Sequence, residues 1–529
     1  MLDIVIEGGT VYDGKGGEPS SGNVGIRGEK IEVVTEGSLP PANRRINASG
    51  KVVCPGFIDI HSHSDFSAVI NPNLESKIRQ GVTTELVGNC GFSACPILNE
   101  QHRADLSRKY AGTGMDITWQ WPEAYFEILG RSGIALNVAI LVGHGNIRTA
   151  VMGGSAAKPT HDELENMKKI ADRCLREGAF GISTGLIYPP GTFSTKEEIV
   201  EILSVVREHG ALYTTHMRNE GEALGEAVRE AIECAGEAGV RLEISHLKAT
   251  GQQNWQNIDE AIEVIERARG KGLDVTCDRY PYIASSTSLD SFLPKWAYEG
   301  GEDRELERLA DKETRAAMEK EILERRPEED FWSRLIVSCV GTEELKGYEG
   351  RNIAGIASDE KRDCCEVLFD ILLKDQLRAE MIYLSMCEEN LEKVLRKPYV
   401  MIGSDGAAKA DYGVLSAGKP HPRTYGTFPR VIARYVKKGV LGMSEAIARM
   451  TSKPAGKIGQ DGRGTISEGA FADIVVFDPN RIMDTATFEN PHSYPEGIKL
   501  VIVNGKVAVE KGRFLGVLNG KILRRAFQS

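Results

Sequence analysis

No apolar run in this sequence is long enough to span a bilayer, which argues against a membrane-crossing helix. Basic residues are outnumbered, 65 Lys plus Arg against 76 Asp plus Glu, for a formal net charge of -11. That balance weighs against a nucleic-acid backbone or an anionic membrane surface as partner. It leaves a small anionic substrate open, because a cleft can be locally basic. Cysteine is sparse, ten in 529 residues, and scattered apart from the adjacent pair Cys364-Cys365. Such a pattern is no secreted disulfide framework; a reducing cytoplasm is the expected setting, and any special cysteine is better suited to ligand duty. The opening Met1-Leu2-Asp3-Ile4-Val5-Ile6-Glu7 has neither a basic flank nor a long apolar core, so no secretory signal is expected.

What is present is enough chain for a large core and two folded units. From Ile4 to Val53, short β-rich runs alternate with turns such as Tyr12-Asp13-Gly14-Lys15-Gly16-Gly17. The C-terminal runs Ala472–Asp478 and Leu500–Val509 carry the same strand and hairpin signals. We expect the two ends, 1–54 plus 459–529, to meet in one small β-sandwich, with a catalytic unit over 55–458 between them.

The middle alternates apolar strands with helical stretches, the βαβ pattern of a parallel sheet. Candidate strands finish at His61/His63, Cys90, His144, Ser183, His216, His246, Asp278 and Asp405. That makes eight, nearly all ending in a chemically capable side chain, as a (β/α)8 barrel requires of its C-terminal rim. The expected class is therefore α/β, a TIM-like barrel with an appended sandwich. The interval from Asp278 to Val400 is too long for one βα unit, and its charged, helix-prone part is expected to be an insertion at about 284–345, a lid or a peripheral decoration.

The run Phe57-Ile58-Asp59-Ile60-His61-Ser62-His63-Ser64-Asp65 says most about chemistry. On an extended strand, His61 and His63 point the same way and can share a metal ion. Cys90, His216 and His246 at other strand ends add thiolate and imidazole, which suit zinc. Of only ten histidines in the chain, four terminate three of these strands. Asp405, in Gly403-Ser404-Asp405-Gly406, is either a turn former or a carboxylate that takes a proton from bound water and returns it to a leaving amine. A metal would lower the water pKa and polarise the scissile carbonyl. Together these parts make a hydrolase. His144 is read as a hydrogen-bond partner or a packed polar residue.

The chain resembles the amidohydrolase superfamily, and within it the N-acyl-D-amino acid deacylases (D-aminoacylases), nearly end to end. The resemblance is carried by Gly56–Asp65, Gly88-Asn89-Cys90-Gly91, Gly143-His144-Gly145, Ser183-Thr184-Gly185-Leu186-Ile187-Tyr188-Pro189-Pro190-Gly191, His216-Met217-Arg218, Ser245-His246-Leu247-Lys248, Tyr280-Pro281-Tyr282, Gly403–Gly406 and His421–Phe428. It implies a tightly held zinc on Cys90, His216 and His246, and a second, weaker site on His61, His63, the shared Cys90 and Asp405. It implies that Tyr188, Lys248 and Arg423 hold a substrate carboxylate and that Tyr282 stabilises the oxyanion. The implied reaction is hydrolysis of an N-acyl-D-amino acid by metal-bound hydroxide, with Asp405 as general base and then acid. Many superfamily relatives bridge two metals with a carboxylated lysine on strand four; Gly181-Ile182-Ser183-Thr184 offers none, so Cys90 is the implied bridge. Hydrolysis of a cyclic amide or unusual dipeptide is the alternative, and a non-catalytic scaffold a further one. The implied partner is a small N-acylated amino acid, and a homo-oligomer stays open.

Overall fold

The computed structural model describes residues 1–525. The first fifty residues fold as β1 (Leu2–Val11), β2 (Ser20–Arg27), β3 (Lys30–Thr35), β4 (Ala42–Asn47) and β5 (Val52–Pro55). The strands that follow are β6 (Phe57–Asp59), β7 (Val82–Val87), β8 (Asn137–Ile140), β9 (Val142–Gly143), β10 (Gly181–Gly185), β11 (Leu212–His216), β12 (Arg241–Ile244) and β13 (Val275–Arg279). After these come β14 (Ser285–Ser288), β15 (Leu335–Cys339), β16 (Glu380–Tyr383) and β17 (Val400–Ile402). The C-terminal set is β18 (Ile474–Phe477), β19 (Ile498–Val503), β20 (Lys506–Glu510) and β21 (Arg513–Phe514).

The fold is mixed α/β. β6, β7 and β8 run parallel, as do β9, β10, β11, β12, β13 and β17 in that order. β8 and β9 are one apolar run broken at Leu141, whose N–H donates to Val87 O at 2.8 Å. β17 returns to β6: Asp405 N–H donates to His61 O (2.8 Å) and His63 N–H to Gly406 O (3.2 Å). The parallel strands thus close into a ring. Its interior holds Ile58, Leu86, Ala139, Phe180, Leu212 and Met401, and a larger apolar layer lies between the strands and the helices outside. One such helix, His161–Arg176, starts on a reciprocal cap in which Thr160 Oγ1 accepts from Glu163 N–H and the Glu163 carboxylate accepts from Thr160 N–H. Its buried face is Met167, Ala171, Cys174 and Leu175, the 3.6-residue stripe of a helix laid on a sheet.

The chain ends share one nine-stranded sheet because β5 pairs antiparallel with β18. Ile6, Val24 and Ile31 from one end pack with Ile474, Leu500 and Ile502 from the other. The sequence reading of 459–529 as wholly part of this unit needs correction. Beyond β21 the chain leaves the sheet, and Val138 of β8 exchanges hydrogen bonds with Lys521 O (2.9 Å) and Leu523 N–H (2.8 Å). This tail covers an edge of β8 that no ring strand pairs; residues 526–529 lie outside the described residues.

The insertion also differs from expectation. It runs on to Tyr383 rather than ending near 345, because β16 is the central strand of an antiparallel sheet, order β14-β16-β15. Helices Lys312–Arg325 and Cys364–Lys374 pack on it over a separate core that includes Met318, Phe331, Leu368 and Tyr383. Among the described residues, no helix is long and apolar enough to cross a membrane.

Candidate metal centre and substrate cleft

The candidate ligands lie at or just beyond the ends of β6, β7, β11, β12 and β17, all at one mouth of the ring. Three of them sit in the left-handed region: Cys90 (φ 56°), His246 (φ 37°) and Asp405 (φ 51°). Non-glycine residues occupy that region at a cost and stay there only when the surroundings fix them, as at functional sites. Neighbouring glycines make the turns sterically accessible. Gly88 has φ +81°, and a Cβ on it would lie 2.2 Å from Leu141 O. A Cβ on Gly403 would lie 2.6 Å from the Cβ of His61.

The side chains converge in two groups that share Cys90: His61, His63, Cys90 and Asp405, and Cys90, His216 and His246, each with its ligand atoms within 4.8 Å of one another. Cys90 Sγ is 3.3 Å from His61 Nε2 and 3.5 Å from His246 Nε2. Asp405 Oδ1 is 3.0 Å from His63 Nε2 and 3.4 Å from His61 Nε2. Both ring nitrogens of the buried His216 lack a hydrogen-bond partner, a costly state unless something else takes the lone pair.

Charge agrees with that geometry. Burial pulls the Cys90 thiol up, yet His61, His246 and His216 outweigh it and hold it well below the ordinary thiol range. Burial likewise pulls Asp405 up, while Arg423, His246 and His61 and a hydrogen bond with His63 hold it well below the usual carboxylate range. Burial lowers His63, but Asp405 and Cys90 bring it to about 9. His216 is lowered, chiefly by burial, and so offers a neutral imidazole. Two anions among four imidazoles, three raised by the anions around them and one lowered by burial, form a set that fits a divalent cation, and thiolate with imidazole suits zinc.

The outer nitrogens of two ligands are fixed by carboxylates. His61 Nδ1 is 3.0 Å from Asp278 Oδ2 and His246 Nδ1 is 3.0 Å from Glu220 Oε1. Such partners set the tautomer and orient the ring toward a metal. The sequence pattern assigns neither residue a role, although Asp278 ends a candidate strand and Glu220 lies four residues after His216.

The residues assigned to the substrate carboxylate also gather here. Arg423 Nη1 lies 2.7 Å from Asp405 Oδ2, and its Nη2 donates to Ser286 O at 3.0 Å. Lys248 Nζ is 2.5 Å from Glu220 Oε1 and 2.9 Å from His246 Nδ1. The Tyr188 ring lies 4.9 Å from that of His216, and its hydroxyl is 2.9 Å from Thr287 Oγ1 in the insertion.

Tyr282 does not join them. Its hydroxyl donates to Pro422 O at 3.3 Å and its ring lies under Arg430, so the oxyanion role expected for it is corrected. Tyr280 is the better placed of the two: its buried hydroxyl has no partner, and the Arg423 guanidinium lies 4.6 Å from its ring centroid. The turn at Pro281, closed by Tyr282 N–H to Tyr280 O (3.0 Å), ends the alternation that would have put both tyrosines on one face. His144 Nε2 pairs with Glu198 (3.0 Å), which also binds Arg148, a packed polar role away from the ligands.

The amidohydrolase family pattern matches residues 44–509. The chain is 34% identical to a D-aminoacylase of Alcaligenes xylosoxydans xylosoxydans, over 99% of this chain and 98% of that protein. Among solved structures it is similar to the N-acyl-D-glutamate deacylase of Bordetella bronchiseptica, complexed with zinc and a phosphonate mimic of the tetrahedral intermediate. That likeness has 33% identity, 99% coverage of both chains and a TM-score of 0.83. A D-aminoacylase with a binuclear metal center matches at 35% identity over 99% of this chain and 100% of that one, TM-score 0.83. The ligand set at the ring's mouth and these end-to-end likenesses agree, and the chain belongs to the amidohydrolase family, in the branch of the D-aminoacylases and N-acyl-D-amino acid deacylases.

Proposed function

We propose that this protein hydrolyses the amide bond of N-acyl-D-amino acids to a carboxylate and a free D-amino acid. In this reading zinc is held tightly by Cys90, His216 and His246, and a second ion more weakly by His61, His63, Cys90 and Asp405. The closed ring is a (β/α)8 barrel, the shared terminal sheet a small sandwich, and the protein works in the cytoplasm on a small-molecule substrate. The observation that carries the reading is Cys90 Sγ standing between two ligand groups, with Asp405 in one and a cationic pair, Arg423 and Lys248, beside them.

Bound zinc supplies Lewis acidity, making water nucleophilic near neutral pH and polarising the amide carbonyl. Asp405, 3.0 Å from His63, accepts a proton from the attacking water. As the C–N bond breaks it hands that proton to the departing amine nitrogen. The unpartnered Tyr280 hydroxyl is the donor available to the carbonyl oxygen as charge builds there. Arg423 and Lys248, balanced here by Asp405 and Glu220, receive the substrate carboxylate, which a guanidinium can clamp through two N–H groups.

The test is a chiral panel of N-acetyl amino acids with purified, zinc-replete protein, run beside hydantoin and dihydrouracil. Turnover of the D-enantiomers is expected. Activity confined to the cyclic amides, or to L-substrates, would overturn the proposal.

A further inference from the structure

Behind the ligands lies a polar hub that the reaction above does not use. Lys77, on the short helix Glu75–Ile78, is completely buried, an unusual place for a lysine. Its ammonium meets Asp59 Oδ2 (2.8 Å), Glu85 Oε1 (3.0 Å), Ser404 Oγ (2.7 Å), Gly406 O (2.7 Å) and Ser62 Oγ (3.3 Å). Two of these partners, Ser404 and Gly406, are the residues on either side of Asp405.

The contacts propagate through the two carboxylates. Asp59 Oδ1 accepts from Ser404 N–H (2.8 Å) and His61 N–H (3.3 Å). Glu85 Oε1 accepts from Ser62 Oγ (2.8 Å) and Ser64 Oγ (3.1 Å), the residues flanking His63. One buried cation therefore ties β6, β7 and the loop after β17 together where each leads into the site. It touches none of the candidate metal ligands itself. Asp405 keeps its left-handed backbone only if its neighbours are fixed, and the two nearest are fixed by the same Nζ. A compact ammonium on a flexible stem suits this cage of oxygens, which a planar guanidinium would not fill equally.

We propose that Lys77 is a positioning residue: it holds the Asp405 loop against the His61–His63 segment, and so sets the geometry of the weaker metal site and of the proton-transferring carboxylate. The proposal rests on the functional reading above. His216 and His246 receive no contact from the hub, and Cys90 meets it only through β7 and the Asn89 amide on Ser62 O (3.4 Å), so the tight ion should depend on it less than the weak one.

The experiment compares wild type, Lys77→Met and the milder Ser404→Ala, each purified and zinc-loaded. Tight- and weak-site zinc affinities come from chelator-buffered titration, with steady-state kinetics and thermal melting alongside. Both variants are expected to keep the tight equivalent while weak-site affinity falls about 10- to 100-fold. A misplaced Asp405 should lower kcat about 10- to 100-fold with KM little changed. Wild-type weak-site affinity and kcat in both variants would overturn the proposal, as would weakening of tight and weak sites by the same factor. If Lys77→Met does not fold, Ser404→Ala decides by the same readings. A wild type that binds two ions yet cleaves no N-acyl-D-amino acid would sink the functional reading alone, and the affinities would still decide Lys77.

Discussion

The two ligand groups that share Cys90 are built differently. Cys90, His216 and His246 form an almost wholly buried trio without a carboxylate among them, and His216 Nε2 stands 3.7 Å from Glu220 Oε2, beyond hydrogen-bond distance. In the other group, the His63 side chain is 31% exposed and Asp405 is already paired with Arg423 at 2.7 Å. One group can do little except bind a cation. The other has its carboxylate already shared with a guanidinium, and on the proposed reading an ion held there would compete with proton transfer. Tight binding and turnover are thus expected to separate by residue.

The sharpest way to break this contrast is at the shared atom. Cys90→Ala removes the thiolate from both groups, so metal analysis should find both ions lost and activity down by at least about 10³-fold. A variant that keeps one equivalent of zinc would show that Cys90 is not the common ligand. Asp405→Asn should separate the groups: one tight equivalent stays, while kcat falls about 10²- to 10⁴-fold. Near wild-type kcat in Asp405→Asn would refute the proton-transfer role.

The sequence carried much of this contrast because strand period and ligand chemistry are both local. His61 and His63 at i,i+2, and His216 and His246 at or just past the ends of apolar runs, needed only the alternation of a strand to be placed at one rim. What stayed hidden depends on partners distant in the chain. Nothing local marks Lys77 as buried, since lysine is ordinarily solvated and its five oxygen partners come from three separate segments. The left-handed backbone of Cys90, His246 and Asp405 is a product of closure between strands. The insertion's end is hidden because Glu380-Met381-Ile382-Tyr383 resembles any short strand until its neighbours are known. Tyr282 took its expected role from the family motif alone, and nothing local to the sequence shows that the turn at Pro281 sets it apart from Tyr280.

These two tyrosines yield the next prediction. Tyr280→Phe should lower kcat about 10²-fold, the loss of one oxyanion donor, with zinc content unchanged. Tyr282→Phe gives up one hydrogen bond to Pro422 O and should leave kcat within about threefold, with a small fall in melting temperature. The reverse order would restore Tyr282 to the role its motif first suggested.

Smaller losses than that of Tyr280→Phe are expected at the cations, because each already has a partner in the protein. Arg423→Ala and Lys248→Ala should raise KM for N-acetyl-D-amino acids by about 10- to 100-fold, the worth of a charge-assisted contact. Substrates whose carboxylate is replaced by an amide should respond far less. The two variants need not behave alike: Arg423 leaves Asp405 without its counter-charge, whereas Lys248 leaves Glu220. Since the proposed reading places Asp405 in the weaker ligand group, Arg423→Ala should also tighten binding of the second ion, measured by titration, while Lys248→Ala should not. If both variants raised KM equally for carboxylate and amide substrates, the cations would be shaping the cleft without reading the charge of the substrate.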